Sequence, residues 1–514
     1  MEILQTGILN IFANLFVMVS TLFSKKHYLS STIIFMIVAK EEIAVIILLE
    51  ATQMIISRLE IKNLHGLYNY NVSFNDDLTF IFGENGCGKT TVLDIVSSIV
   101  TGRIYNLFRY KFDEIILSYR EKKRSKLGKI RIKSHEDSFE LSLNEGDLQE
   151  TIDDPRKTGE MFSRDEDEYA FDRRFMSRYD FPCFLRKTFN YIYLPLSRNS
   201  QDGIDINSMI YRRRRTAVFS DRDFGNKNYL NESLRYVEDI VKTGCMRISS
   251  AENKVSEQFK SNLFTSSLKV SSEYNVVKLF MAIKNKETLD SIEQNRLEYI
   301  KTLNSIGEWS EDTQKRVDDF FKRYRTAFEN AQRDENAGHH IFSLELLMMN
   351  KEFNRIKDIA AQAQIIEEEK ERIRAPITSF LSTVNDFFNF GEDRKRVLID
   401  NEGQIRIQAD APRRNLSLYN LSSGEKQIVI IFACLIFGLP AGQSGIYIID
   451  EPEASLHLAW QKKFVEAIQN VNGSIQLVFA THSPEIIGRY SNHAVKLQRK
   501  ISPNAIKKED ICDE

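Results

Sequence analysis

Apolar positions change period several times along this chain, and each change marks a predicted element. Leu78 to Phe82 is an apolar strand, and the residues after Lys89 carry apolar side chains at helical spacing, so a strand leads directly into a helix. "EIILSYREK", "KIRIKSH" and "SFELSL" read as strands of an antiparallel β-subdomain, and "FNYIYLPLSR" as a core strand ending near Pro195 and Arg198. From about Asn231 to Arg374 the pattern turns helical, charged and nearly free of proline. "KVSEQFKSNL", "DSIEQNRLEYIKTLNSI", "TQKRVDDFFKRYRTAF" and "NRIKDIAAQAQIIEEEKERIRA" each place apolar residues three and four apart. Helical hairpins or a short coiled coil fit this stretch, and so does a helical bundle packed on the rest of the chain. A hairpin made from all of it would reach only on the order of 100 Å.

The pattern then returns to short elements. A hairpin is expected over Asn401-Glu402-Gly403, and Leu421-Ser422-Ser423-Gly424-Glu425 stands at the start of an apolar helix. Ile446 to Ile449 form a buried strand ending in Asp450 and Glu451, and "IQLVFATHSPEII" is another apolar strand, ending at His482. Carboxylates and imidazole thus fall at the C-terminal ends of strands, where α/β sheets gather ligand chemistry.

Composition narrows the class. With 514 residues, 42% apolar and 28% charged, disorder, collagen-like repeats and a polytopic membrane protein are excluded for the whole chain, and two or more subdomains are expected. A net charge of -2 supplies no general positive field, so DNA contact would need a local patch. The five cysteines show no CxxC or Cys/His spacing, which reads as a reducing compartment and argues against a structural zinc. Residues 1–53 stand apart: Ile3 to Ser24 is uncharged, and a second apolar stretch is broken by Lys40-Glu41-Glu42. Two readings apply, a membrane anchor or translated upstream sequence before a start at Met54. The second is favoured, with a cytoplasmic protein as the expectation.

Chemistry concentrates in two places more than three hundred residues apart. Gly83, Gly88, Lys89 and Thr90 satisfy G-x-x-x-x-G-K-[ST] between a strand and a helix. Gly86 and Gly88 let the backbone wrap so that successive N–H groups face phosphates. Lys89 supplies a point charge to the β- and γ-phosphates, and the Thr90 hydroxyl is a Mg²⁺ ligand. The expected ATP-binding set is Gly83, Glu84, Asn85, Gly86, Cys87, Gly88, Lys89, Thr90 and Thr91, with Cys87 read as a small filler.

"GENGCGKT", "LSSGE", "IYIIDE", "EPEASLH" and "ATHS" occur in the order of the ABC-type ATPase motifs, and the chain resembles that family over about residues 54–110 and 390–498. The resemblance implies ATP hydrolysis across a head-to-head dimer. Thr90 and Asp450 would hold Mg²⁺, Glu451 would polarise the attacking water, and His482 would sense the γ-phosphate, with Lys89 completing the catalytic group. Ser423, Gly424 and Glu425 would complete the site of the opposing protomer. The family's Q-loop residue is not located. The implied fold is an α/β ABC-type head, a mixed sheet with flanking helices and an antiparallel β-subdomain, split by a large, mainly helical insertion. Its divisions are 54–230, 231–375 and 376–500, flanked by 1–53 and the tail 501–514.

The layout further resembles the OLD-like (AAA15) ATPases of bacterial antiphage systems, those of PARIS, Septu and retrons, with the PARIS type favoured. This implies an oligomeric sensor and scaffold that answers a phage-derived trigger and controls a separate effector carrying a TOPRIM or HNH nuclease domain. No nuclease domain of its own is expected, because the chain ends about thirty residues beyond His482. A DNA repair or maintenance ATPase of the RecF or Rad50 type is the alternative, and a transporter ATPase a third class. DNA is not required as a partner. Two basic runs, "YRRRRTAVF" (211–219) and "YREKKRSKLGKIRIK" (119–133), sit among acidic neighbours and read first as solvated or partner-facing loops.

Overall fold

The computed structural model describes residues 54–122, 127–144, 146–158, 168–195, 229–267, 288–306, 310–336, 344–389, 394–409, 414–438, 445–471 and 475–503. Residues 1–53, Arg198, the basic run 211–219, positions 123–126 of the other basic run and the tail from 504 lie outside the described residues. The chain forms two compact units, Met1–Arg215 with Leu439–Ala454 and Gly473–Glu514, and Thr216–Gly438 with Ser455–Asn472. Strands and helices are numbered in chain order.

Two sheets build the first unit. One contains β3 (Leu78–Phe82), β8 (Tyr191–Pro195), β12 (Ile446–Asp450), β13 (Gln476–Thr481) and β14 (Ala494–Lys496), in the order β14-β3-β13-β12-β8. Every described neighbour pair is parallel, where a mixed sheet was expected. Apolar runs covered on both faces, such as the wholly buried β12 and β13, carry no signal of strand direction. Parallel pairing brings all C-terminal ends to one edge, with Asp450 opposite Ala480 and Thr481 opposite Phe82.

The other sheet is antiparallel, in the order β15-β2-β1-β4-β5-β6-β7. Its strands are β1 (Met54–Leu64), β2 (Tyr68–Ser73), β4 (Glu114–Glu121), β5 (Leu127–Ser134), β6 (Ser138–Leu143), β7 (Leu148–Asp153) and β15 (Lys500–Ile501). Alternation gives it one apolar face: Phe139, Leu141 and Leu143 of β6 are buried and the residues between them are not. Helix α1 (Lys89–Thr101) sends Val92, Val96 and Ile99 into the core shared by both sheets, and α2 (Glu168–Arg178) and α3 (Asp180–Thr188) complete the unit. One buried side chain joins the sheets. The Gln476 amide donates to the carbonyls of Ile56 and Asn75, both at 2.7 Å, and accepts from the Ile56 N–H at 2.9 Å. In the described part of the basic run 119–133, Arg120 pairs with Asp76 and Arg131 with Glu114.

The second unit comprises α4 (Tyr229–Ser267), α5 (Thr288–Ile306), α6 (Glu311–Asn336), α7 (Leu344–Phe388), β9 (Lys395–Ile399), β10 (Ile405–Ala409), β11 (Arg414–Leu416), α8 (Ser423–Phe437) and α9 (Leu458–Val471). Among the described residues, the stretch read as helical forms the four helices α4 to α7. Helices α5, α6 and the first part of α7 close a bundle around Ile292, Phe321, Tyr324, Phe328 and Phe353. Farther along, α7 runs antiparallel to α4: Arg374 pairs with Glu252, and Phe437 touches both Phe380 and the Gly244 backbone. At 45 residues α7 is roughly 70 Å long, and Pro376 within it removes one backbone hydrogen bond. The expected hairpin joins β9 to β10, with Gly403 at φ 76° in the left-handed conformation its turn requires. Among the described residues, no helix is long and apolar enough to cross a membrane.

Candidate active site

The phosphate-loop sequence folds as a turn between β3 and α1. Gly86 and Gly88 take φ of 76° and 98°, and Gly88 has no room for a side chain, since a Cβ there would lie 2.8 Å from the Tyr70 hydroxyl. The Cys87 sulfur packs where any side chain at Gly83 would stand, 2.7 Å from an added Cβ, which fits the small-filler reading of this thiol. Glu84, Asn85, Gly86 and Thr90 are exposed, whereas Lys89 is buried.

Lys89 Nζ donates to the carbonyls of Gly83 at 3.2 Å and Glu84 at 3.3 Å and lies 3.3 Å from His482 Nδ1. An ammonium has donors only, so this contact requires His482 Nδ1 to accept and leaves the ring proton on Nε2. That nitrogen faces Glu451 Oε1 at 3.9 Å. The loop after β3, Glu451 and His482 are therefore brought together, because β3, β13 and β12 are adjacent parallel strands with a common C-terminal edge.

Asp450 ends β12 fully buried, and neither carboxylate oxygen has a hydrogen bond of normal geometry, although the Thr90 hydroxyl lies close enough to favour the ionised form. Burial, reinforced by the charges of Glu451 and Glu453, pushes its carboxyl up to about 6, against the lowering influence of Thr90 and Lys89. A buried carboxylate without a partner, facing a hydroxyl at the mouth of a phosphate loop, fits a divalent cation. Among the described residues no three His, Cys, Asp or Glu side chains are placed to hold a metal by themselves. Thr90 and Asp450 would thus share the ion with nucleotide oxygens, as Mg²⁺ commonly does.

Glu451 takes φ 50°, unusual for a residue with a side chain, while its N–H donates to the Ala480 carbonyl at 2.9 Å. Sequence reading gave no role to its neighbour Glu453. Glu453 Oε1 accepts from the His482 backbone N–H at 2.6 Å, tying the loop after β13 to the turn after β12. The "EPE" spacing was visible, but which backbone amide the second glutamate would meet was not. Glu453→Ala is expected to lower turnover roughly 10- to 100-fold, the scale of one hydrogen bond to a charged group, while leaving ATP affinity near wild type. Steady-state rates set beside equilibrium binding would check this, and equal losses in both would point to a general disruption of the loop.

Ser423, Gly424 and Glu425 belong to the second unit. Ser422 caps α8 in a reciprocal box: its hydroxyl accepts from the Glu425 N–H at 3.4 Å, and the Glu425 carboxylate accepts from the Ser422 N–H at 2.8 Å. Lys395 Nζ donates to both Glu425 oxygens, at 2.8 and 2.9 Å. Burial would raise the Glu425 carboxyl, yet Lys395 and the Ser422 amide hold it below the usual range. Gly424 has no space for a Cβ, which would stand 2.5 Å from the Ser455 carbonyl, and Ser423 is exposed.

The chain is similar to several known proteins. The Retron Vc95 probable ATPase of Vibrio cholerae serotype O1 biovar El Tor is 21% identical over 480 residues, covering 86% of this chain and 74% of that protein. The DNA replication and repair protein RecF of Glaesserella parasuis serovar 5 (strain SH0165) is 31% identical over 91 residues, covering 18% of this chain and 24% of that protein. Among solved structures, the Smc head domain with an extended coiled coil from Pyrococcus furiosus shares 14% identity, covering 90% of this chain and 100% of that one at a TM-score of 0.37. That score leaves the fold assignment to the sheet topology itself. A family model described as AAA ATPase domain matches residues 54–487, and the chain therefore belongs to the AAA_15 family of ATPases.

Proposed function

We propose that this chain binds and hydrolyses ATP with Mg²⁺ at the edge of the parallel sheet. The observation that carries the reading is Asp450, fully buried and unpartnered beside Thr90 at the phosphate loop. In this reading the loop amides and Lys89 bind the phosphates, Lys89 exchanging the His482 nitrogen for a γ-phosphate oxygen. Thr90 and Asp450 hold the cation, which when bound neutralises charge on the transferring phosphoryl group. Glu451 Oε1 accepts the proton of the attacking water, and His482, anchored through its amide to Glu453, presents Nε2–H to the reacting region. The exposed Ser423 and the close-packed Gly424, held at the start of α8 by the Ser422–Glu425 box, complete the site of a second copy in a head-to-head dimer.

The biological setting in this reading is a cytoplasmic antiphage system of the PARIS type. The ATPase acts there as sensor and scaffold, and a separate TOPRIM- or HNH-containing effector answers a phage-derived trigger. The retron ATPase relative supports the class, and the near-neutral charge fits an assembly held by protein partners more than by DNA. Lys89→Ala is expected to weaken ATP binding roughly 10- to 100-fold, and turnover should rise with protein concentration as dimers form. A monomer hydrolysing at full rate would overturn the shared site. Co-purification with mass spectrometry tests the setting: a nuclease partner supports defence, and recombination proteins would support the RecF or Rad50 alternative.

A further inference from the structure

One carbonyl of the phosphate loop is gripped from two sides. The Tyr70 hydroxyl, on β2, donates to the Cys87 carbonyl at 3.0 Å, and Arg499 Nε donates to the same oxygen at 3.3 Å. Arg499 also hydrogen-bonds Tyr70 and lies over the Tyr68 ring, 4.8 Å from its centre. Tyr70 is only 4% exposed, and burial raises its phenol above the usual value, so it remains protonated and able to donate at neutral pH. Arg499 stands where the chain crosses from β14 in the parallel sheet to β15 beside β2. Two residues earlier the Leu497 N–H donates to the Phe82 carbonyl at 2.8 Å, so this strap holds the loop at its entry as well as at Cys87.

We propose that Tyr70 and Arg499 are positioning residues for nucleotide phosphates, acting through the Cys87–Gly88 peptide. A peptide unit is planar, with its C=O and N–H pointing in opposite directions. A Cys87 carbonyl fixed toward β2 and the strap therefore fixes the Gly88 N–H toward the side where the first turn of α1 presents its amides. Glycine at φ 98° places little steric restraint on rotation of that peptide. Rotated, it would turn a carbonyl oxygen toward the phosphates in place of a donor. Two hydrogen bonds from strands distant in sequence supply the restraint that glycine lacks. This rests on the reading of the loop as a phosphate site.

The test uses the full chain with Tyr70→Phe, Arg499→Gln and the double variant, measuring ATP and ADP affinity together with KM and kcat. Each single change is expected to weaken ATP and ADP alike by about 3- to 10-fold and to raise KM accordingly, the worth of one hydrogen bond, with kcat within about twofold of wild type. Arg499→Lys should recover part of the loss. Should Arg499→Gln lower the melting midpoint, Tyr70→Phe, which removes one oxygen, decides. Wild-type affinities in Tyr70→Phe, or a fall in kcat at unchanged KM, would overturn the positioning role. If Lys89→Ala weakens binding and Tyr70→Phe does not, only this inference falls; if the wild-type chain binds no ATP, the phosphate-site reading falls with it.

Discussion

Glu451→Gln is expected to lower turnover by about 10²- to 10⁴-fold, the range associated with loss of a positioned proton acceptor. ATP affinity should stay near wild type. Glu451 follows β12 directly, and its backbone is fixed by the bond from its N–H to the Ala480 carbonyl, so the replacement keeps its place. Glutamine has nearly the same shape but no oxygen basic enough to take a proton from water. Its carbonyl can still face His482 Nε2, now 3.9 Å from the glutamate oxygen. The variant should accumulate with nucleotide bound, and if the proposed dimer is correct, as dimer. Phosphate release followed beside retained nucleotide and sedimentation would check all three. Unchanged turnover would remove Glu451 as the general base.

Asp450→Asn should show two large effects of opposite sign. Turnover is expected to fall by at least ~100-fold, because a cation's charge stabilisation is worth several kcal/mol and the variant lacks its carboxylate ligand. Stability of the nucleotide-free protein at pH 7.5 should rise. The sign follows from the titration of the native carboxyl, which sits at about 6 against a usual 3.8. Between those values the native state holds a proton that the unfolded chain has released, so the contribution of this carboxyl to wild-type stability is fully present below pH 4 and is lost as pH climbs to 6. A shift of that size corresponds to about 3 kcal/mol. The asparagine variant carries no charge to bury, so its advantage should be fully present above pH 6 and fade toward pH 4. Mg²⁺ with ATP should stabilise the wild type and leave the variant nearly unmoved. Melting curves at pH 4.5, 6 and 7.5, with and without Mg²⁺ and ATP, would check this. A difference independent of pH would assign the titration to another group.

Particular elements show what could be read in advance. The phosphate loop was legible because its geometry is local: the glycines, Lys89 and Thr90 lie within eight residues, and the flanking strand and helix each announce their period. The strand ending at Asp450, the start of α8 and the hairpin at Gly403 were legible for the same reason. The helical insertion was legible in composition but left its packing open, since three- and four-residue spacing marks an apolar stripe without naming what covers it. Phe321, Tyr324 and Phe353 turned out to share one bundle core.

Residues that act through distant partners were not legible. Glu453 meets the His482 amide across 29 positions, and Arg499 meets Cys87 across 412. Glu425 read as a signature residue, yet its carboxylate is engaged by Ser422 and by Lys395 of β9. By itself the amino-acid sequence determined which residues the proposed chemistry rests on, a phosphate loop followed far downstream by Asp450, Glu451 and His482, because they stand in short spacings that local backbone geometry enforces. Only the tertiary structure decided which other groups meet these residues. Hydrogen bonds among Glu453, His482, Tyr70, Cys87 and Arg499 depend on which strands become neighbours at a sheet edge, and that neighbourhood arises only when the shared core buries both sheets together.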